Sequence, residues 1–210
     1  MSRPRTSSVA SGFSALIVSA SLLLVTPAVR AQNSAPDMSL VASGLLHRRI
    51  GLDARKMSQR QWVAKEKRWV WQPLGELPQA PVLFVHLWSV TCAPCVKELP
   101  FLSDLIKKYQ RLFANKVDYV IMSYDEQSEI DTFLAKLGND IPLNIYHFKK
   151  EEVEASLGTM ILPMTLLVER NKLVVRQAFV GTIDTRQAEV NPSLTRLVEL
   201  VATPSLSSKK

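Results

Sequence analysis

The sequence predicts an α/β domain, a central mixed β-sheet flanked by helices, and three observations carry that prediction. The run Val82-Leu83-Phe84-Val85-His86-Leu87-Trp88 is short and nearly all apolar, as in a strand buried on both faces of a sheet. Directly after it, apolar residues at Val96, Leu99, Leu102, Leu105, Ile106, Tyr109 and Phe113 follow helical spacing. Strand then helix returns at once: Val117 to Ser123 reads as a second strand, followed by a helix with Ser128 as cap, Asp131 three residues later and Gly138 as its end.

The remaining elements follow in chain order. Residues 1–31 have the parts of an export signal and are expected to be removed after Ala31. Arg3 and Arg5 give the positive end, Phe13 to Val25 the apolar run, and Val29-Arg30-Ala31 the small residues at the cleavage positions. Left uncut, the segment would anchor the protein in a membrane, although the run is short for a span. Residues 32–61 show no sustained period and are expected to be a loosely organised N-terminal extension, with a short helix at Leu40, Val41, Leu45 and Leu46. Residues 62–205 form the domain proper. Trp62, Trp69, Val70 and Trp71 suggest an edge strand before the turn-forming stretch Pro73 to Pro81, and the tryptophans read as core or packing residues and not as a ligand platform. In the helix after Trp88, Pro94 is acceptable in the first turn and Pro100 is expected to kink it. Leu143 to His147 is a weaker strand, and Glu151 to Leu157 a short helix. Met164 to Val168 and Leu173 to Phe179 make a hairpin around Arg170-Asn171-Lys172. Asn191-Pro192 opens a final helix carrying Leu194, Leu197, Val198 and Val201.

Composition bounds the function. With 47% apolar residues in 210, the chain suits one globular domain plus an appendage. The formal charge of +7 falls to about +4 once residues 1–31 are removed. Cations alternate with acids, as in Lys149-Lys150-Glu151-Glu152, so a solvated surface is read and no nucleic-acid partner.

The chemistry rests on Cys92 and Cys95, the only two cysteines. Spaced i and i+3 where a strand hands over to a helix, they share one side of the first turn, a geometry suited to reversible oxidation. The positive end of the helix favours a thiolate at Cys92, the attacking sulfur, and leaves Cys95 one turn in as the resolving one. A bridge closing so small a loop contributes roughly 2 kcal/mol by chain entropy, against about 3 for fifteen residues, so stapling is a poor use of it. A structural bridge and a metal site are the competing readings. Zinc wants four ligands, and His47, His86 and His147 are far apart in sequence, so no metal is assigned.

The segment from Phe84 to Pro100, with Trp88 four residues before the first cysteine, Pro94 inside the motif and Glu98-Leu99-Pro100 just after it, resembles the active-site segment of the TlpA/ResA-like thioredoxin family. The likeness extends more loosely from Val82 to the final helix and does not cover residues 32–61. It implies a thioredoxin fold and an exported, periplasmic thiol-disulfide oxidoreductase. Glu98 would lie near the dithiol and influence its titration. Pro163, in Leu162-Pro163-Met164-Thr165, would be a cis-proline opposite the disulfide. Trp88, Ala93, Pro94 and Leu162 would contact substrate. His86 departs from the pattern, since relatives have an acid or a neutral polar group six residues before the first cysteine. It reads either as a proton relay or as a core histidine turned away from Cys92 by strand alternation.

The implied mechanism is dithiol-disulfide exchange without a prosthetic group. Partners would be protein thiols and disulfides of the envelope, with reduction of apocytochrome in cytochrome c maturation as the usual role, and an upstream electron donor, a membrane-bound one included. The rivals are an exported oxidase or isomerase, a redox-inactive binding module of the same fold, and a copper-delivery protein.

Overall fold

A computed structural model describes residues 37–63, 65–137 and 143–202. The export-signal reading and Gly138 therefore lie outside the described residues. The elements are α1 (Met38–Leu45), β1 (Ser58–Val63), β2 (Arg68–Pro73), β3 (Val82–Trp88), α2 (Ala93–Leu112), β4 (Val117–Ser123) and α3 (Gln127–Lys136), then β5 (Ile145–His147), α4 (Lys150–Leu157), β6 (Met164–Glu169), β7 (Val174–Val180) and α5 (Gln187–Ala202).

The strands form one mixed sheet in the order β2-β1-β5-β4-β3-β6-β7. The apolar run from Val82 is its central strand, parallel to β4 on one side and antiparallel to β6 on the other. Every residue of β3 is buried, which explains why the run shows no polar alternation. Its side chains still alternate between faces. Val82, Phe84 and Trp88 join Leu99, Leu102 and Ile106 of α2, Ile130 and Leu134 of α3, and Leu194 and Val198 of α5 in one core. Leu83, Val85 and Leu87 meet Val153 and Leu157 of α4 on the opposite face. Each such buried side chain contributes about 1.5–3 kcal/mol relative to exposure, so truncating Leu99, wholly buried, to Ala would cost about 2–5 kcal/mol.

Helix α2 starts where expected and runs through Pro100 as one helix to Leu112. Two other starts differ. Helix α3 begins at Gln127, with the Glu129 carboxylate accepting the Glu126 N–H at 3.3 Å, so Ser128 is an interior residue. Helix α5 begins at Gln187, since Val190 is already buried against the core, and Asn191-Pro192 sit inside it. The Asn191 side chain there accepts the Tyr109 hydroxyl from α2.

The expected single edge strand is a hairpin, β1 pairing antiparallel with β2 and Lys67 turning at φ 49. A Lys-Glu-Lys turn lacks the Gly or Asn that would mark it. Arg60 and Trp71 face each other across the hairpin and both bind Asp131 of α3, at 2.6 and 3.0 Å. Trp62 is 51% exposed and meets Trp69 edge-on at 5.6 Å, so it is not a core residue.

The expectation of a loose extension also needs correction. Helix α1 is capped by the Asp37 side chain, which accepts the Ser39 N–H at 2.9 Å. Residues 47–50 then run beside β7: His47 N–H to Val175 O, Val175 N–H to Arg48 O and Ile50 N–H to Leu173 O are each 2.8 Å. Leu45, Ile50, Leu52 and Met57 are buried on the α4 face of the sheet. These four apolar residues are too irregularly spaced to register as a helix or a strand, which is why the sequence shows no period here.

Candidate functional site

The strand-to-helix handover at the C-terminal end of β3 sets the site. Cys92 caps α2 with extended backbone (φ -90, ψ 98), its N–H bonded to Ser89 O at 3.1 Å and its carbonyl accepting Val96 N–H at 3.0 Å. Pro94 fits the first turn because that turn's N–H groups have no helical partner anyway. Cys92 and Cys95 are joined by a disulfide, with Cα atoms 5.2 Å apart. Their surroundings differ: Cys92 is partly exposed, Cys95 is wholly buried, and Cys95 N–H points at Cys92 Sγ at 3.3 Å. A thiolate at Cys92 would thus have a backbone donor and the helix N-terminus in reach, and solvent access for attack. Ala93 and Pro94 face outward beside it.

Glu98, one turn below Cys95, is buried. Its Oε2 accepts the Ile183 N–H at 2.7 Å, and its Oε1 lies 3.2 Å from His86 Nε2. Those two atoms are close enough for an ion pair but not aligned as a hydrogen bond, and neither has another hydrogen-bond partner. His86 Nδ1 contacts Thr165 Oγ1 at 2.9 Å. Strand alternation places His86 with Phe84 and Trp88 on the α2 side of the sheet, so it does not turn away from the helix that carries the cysteines.

The Leu162-Pro163 bond is cis, and Pro163 is buried at the start of β6, whose Met164 registers with Leu87 of β3. Leu162 is half-buried and packs against both cores. Trp88 does not match the role of a substrate contact: it is 0% exposed, its ring 5.9 Å from Phe133, because it continues the buried face of β3. Of the other histidines, His147 is partly buried against Trp71, and burial pulls its pKa below the usual value, with Glu126 and Asp125 pulling the other way.

Sequence reasoning passed over one polar cluster. Asp125, just past β4, is 8% exposed and accepts hydrogen bonds from Ser89 Oγ (2.8 Å), Val90 N–H (2.8 Å) and Ser123 Oγ (2.6 Å). The available signal was positional: β3 and β4 are neighbouring parallel strands, so the residues after both meet at one end of the sheet.

No family model matches the chain. Curated relatives do: the thiol-disulfide oxidoreductases ResA of Bacillus thuringiensis (strain Al Hakam) and Bacillus anthracis are each 27% identical over 96 residues, 45% of this chain and 53% of theirs. ResA of Geobacillus thermodenitrificans is 26% identical over 102 residues, 48% of this chain and 55% of its own. The chain therefore matches about half the length of these relatives. Among solved structures, a thioredoxin-like protein in the oxidized form superposes with a TM-score of 0.51 at 17% identity, covering 72% of this chain and 97% of that one. That likeness shows the fold, and the mixed sheet flanked by helices agrees with it. The chain thus has the fold of thioredoxin-like proteins and is similar, over about half of their length, to the ResA thiol-disulfide oxidoreductases.

Proposed function

We propose that the protein is a thiol-disulfide oxidoreductase that exchanges dithiol and disulfide with protein substrates in the cell envelope, as a reductant. The observation that carries this reading is the asymmetry of the pair, a partly exposed Cys92 capping α2 over a sealed Cys95. In the reductive direction Cys92 thiolate attacks a substrate disulfide, one substrate sulfur leaves as thiolate, and a mixed disulfide forms. Cys95 thiolate then attacks Cys92 Sγ, releases the second substrate thiolate, and the Cys92–Cys95 disulfide remains. Two electrons pass to the substrate, and an upstream donor must return them. Glu98 and His86, buried beneath the pair, are the groups available to hold or pass the proton of Cys95. Outward-facing Ala93 and Pro94, with Leu162 beside cis-Pro163, form the contact surface, and Val90, Ser128, Thr132 and Phe133 line a groove next to it. The name ResA of the curated relatives supports the reaction class. Export rests on the sequence pattern of residues 1–31; among the described residues no helix is long and apolar enough to cross a membrane.

Insulin reduction with dithiothreitol tests the reaction, and equilibration with glutathione measures the reduction potential and so the direction. Catalysed insulin precipitation that Cys92→Ser abolishes is the expected result. A chain with no activity above background would leave a redox-inactive module of this fold.

A further inference from the structure

The loop between β3 and the first cysteine is held by one carboxylate on another strand. Asp125 Oδ1 accepts Ser89 Oγ and Asp125 Oδ2 accepts Val90 N–H, both at 2.8 Å, while Ser123 Oγ and the Asp125 N–H tie the acid to the end of β4. Ser89 has a single hydroxyl proton. Because that proton goes to Asp125, the 2.9 Å contact between Ser89 Oγ and Thr91 Oγ1 requires Thr91 to donate. Ser89 Oγ also accepts Thr91 N–H at 3.2 Å, and Ser89 O accepts Cys92 N–H at 3.1 Å. Every link from Asp125 to the backbone of Cys92 is thus a hydrogen bond of fixed polarity, and Ser89, 1% exposed, is its hub.

We infer that Asp125 is a positioning residue for the exchange reaction: through Ser89 and Val90 it presets the turn that delivers Cys92 to the N-terminus of α2. The inference rests on the proposed exchange chemistry. Its physical basis is preorganisation, since a thiolate at Cys92 gains from Cys95 N–H and the helix end only while the cap geometry holds. Asp125 carries its own negative charge, which opposes a nearby thiolate. Its contribution as a charge and its contribution as an anchor therefore have opposite signs.

Three variants of the full chain, reduced and then exposed to iodoacetamide at neutral pH, separate the two, with circular dichroism checking that each folds. Ser89→Ala keeps the charge and cuts the hub; Asp125→Asn removes the charge and disturbs the anchor; Ser89→Thr keeps the hydroxyl. Positioning predicts alkylation of Cys92 slowed roughly three- to tenfold in Ser89→Ala and Asp125→Asn, and recovery in Ser89→Thr. It also predicts that the first two variants lie further toward the disulfide in a glutathione buffer, because a less stabilised thiolate makes the reduced form less favoured. Unchanged rates in folded Ser89→Ala overturn the inference; faster alkylation in Asp125→Asn beside an unchanged Ser89→Ala would leave Asp125 acting only as a charge. Alkylation needs no protein substrate, so failure of insulin reduction would count against the exchange reading separately.

Discussion

His86 Nε2 and Glu98 Oε1 lie 3.2 Å apart with both side chains out of solvent, the histidine reaching down from the central strand and the glutamate up from the helix of the dithiol. Burying two ionisable groups is costly unless each is well partnered, and here one oxygen and one nitrogen lack aligned bonds. Such a pair reads as a feature kept for chemistry more than for stability.

Double-mutant cycles test the coupling. His86→Asn, Glu98→Gln and the double variant, compared by urea unfolding of the oxidised form, are expected to show an interaction of about 0.5–3 kcal/mol. Glu98→Gln retains an acceptor for Ile183 N–H, whereas Glu98→Ala strands that buried donor and is expected to cost about 1–3 kcal/mol more. Additive single effects would mean that the two groups are merely neighbours.

The unequal burial of the cysteines predicts unequal trapping. Cys95→Ser, with attack intact and resolution lost, is expected to accumulate mixed disulfides through Cys92, visible on non-reducing gels. Cys92→Ser is expected to accumulate few, since Cys95 is fully buried. The reverse pattern would exchange the two roles.

Burial lowers the pKa of His147, so on acidification the unfolded chain takes up a proton near pH 6.5 that the folded chain resists. The unfolded state then binds more protons, and stability falls as pH drops from about 6.5 toward the folded pKa, by at most about 1.4 kcal/mol per pH unit. His147→Phe, which retains an aromatic partner for Trp71, should flatten this slope between pH 7.5 and 5.5 in urea titrations. An unaltered slope would assign the acid sensitivity elsewhere.

Ile50 belongs to the segment before the hairpin, yet it is 2% exposed and bonded to Leu173 O. Ile50→Ala is therefore expected to destabilise the protein by about 2–5 kcal/mol, as a core truncation does. A change under about 0.5 kcal/mol would favour the loosely organised extension expected from the sequence.

The central strand, the α2 helix and the dithiol at their junction were legible because a wholly buried strand and a 3.6-residue period leave strong local signals. So was the cis-proline position, through likeness to relatives. What stayed hidden is long-range. Nothing near Asp125 in sequence points to Ser89, and only the parallel pairing of β3 and β4 joins them. Nothing near His86 announces that its face of the strand meets Glu98. The run from Leu45 to Met57 disguised itself because it is shaped by the surface it covers and not by a repeat of its own.

That run has a consequence for the order of assembly. It leaves β7 at one margin of the sheet, crosses the α4 face, and becomes β1 near the other margin. Arg49 bridges to Val174 and Ser58 registers with His147, so a segment near the start of the chain finds its partners only after nearly the whole domain has been synthesised. Contacts so distant in sequence are slow to close. The strands from β3 to β7 are therefore expected to meet first, with both outer margins open, and the segment before β1 to dock across them in a later step that covers both margins. Until that docking, a nascent molecule offers unpaired strand edges to its neighbours, and a delay there is where association between unfinished chains would begin.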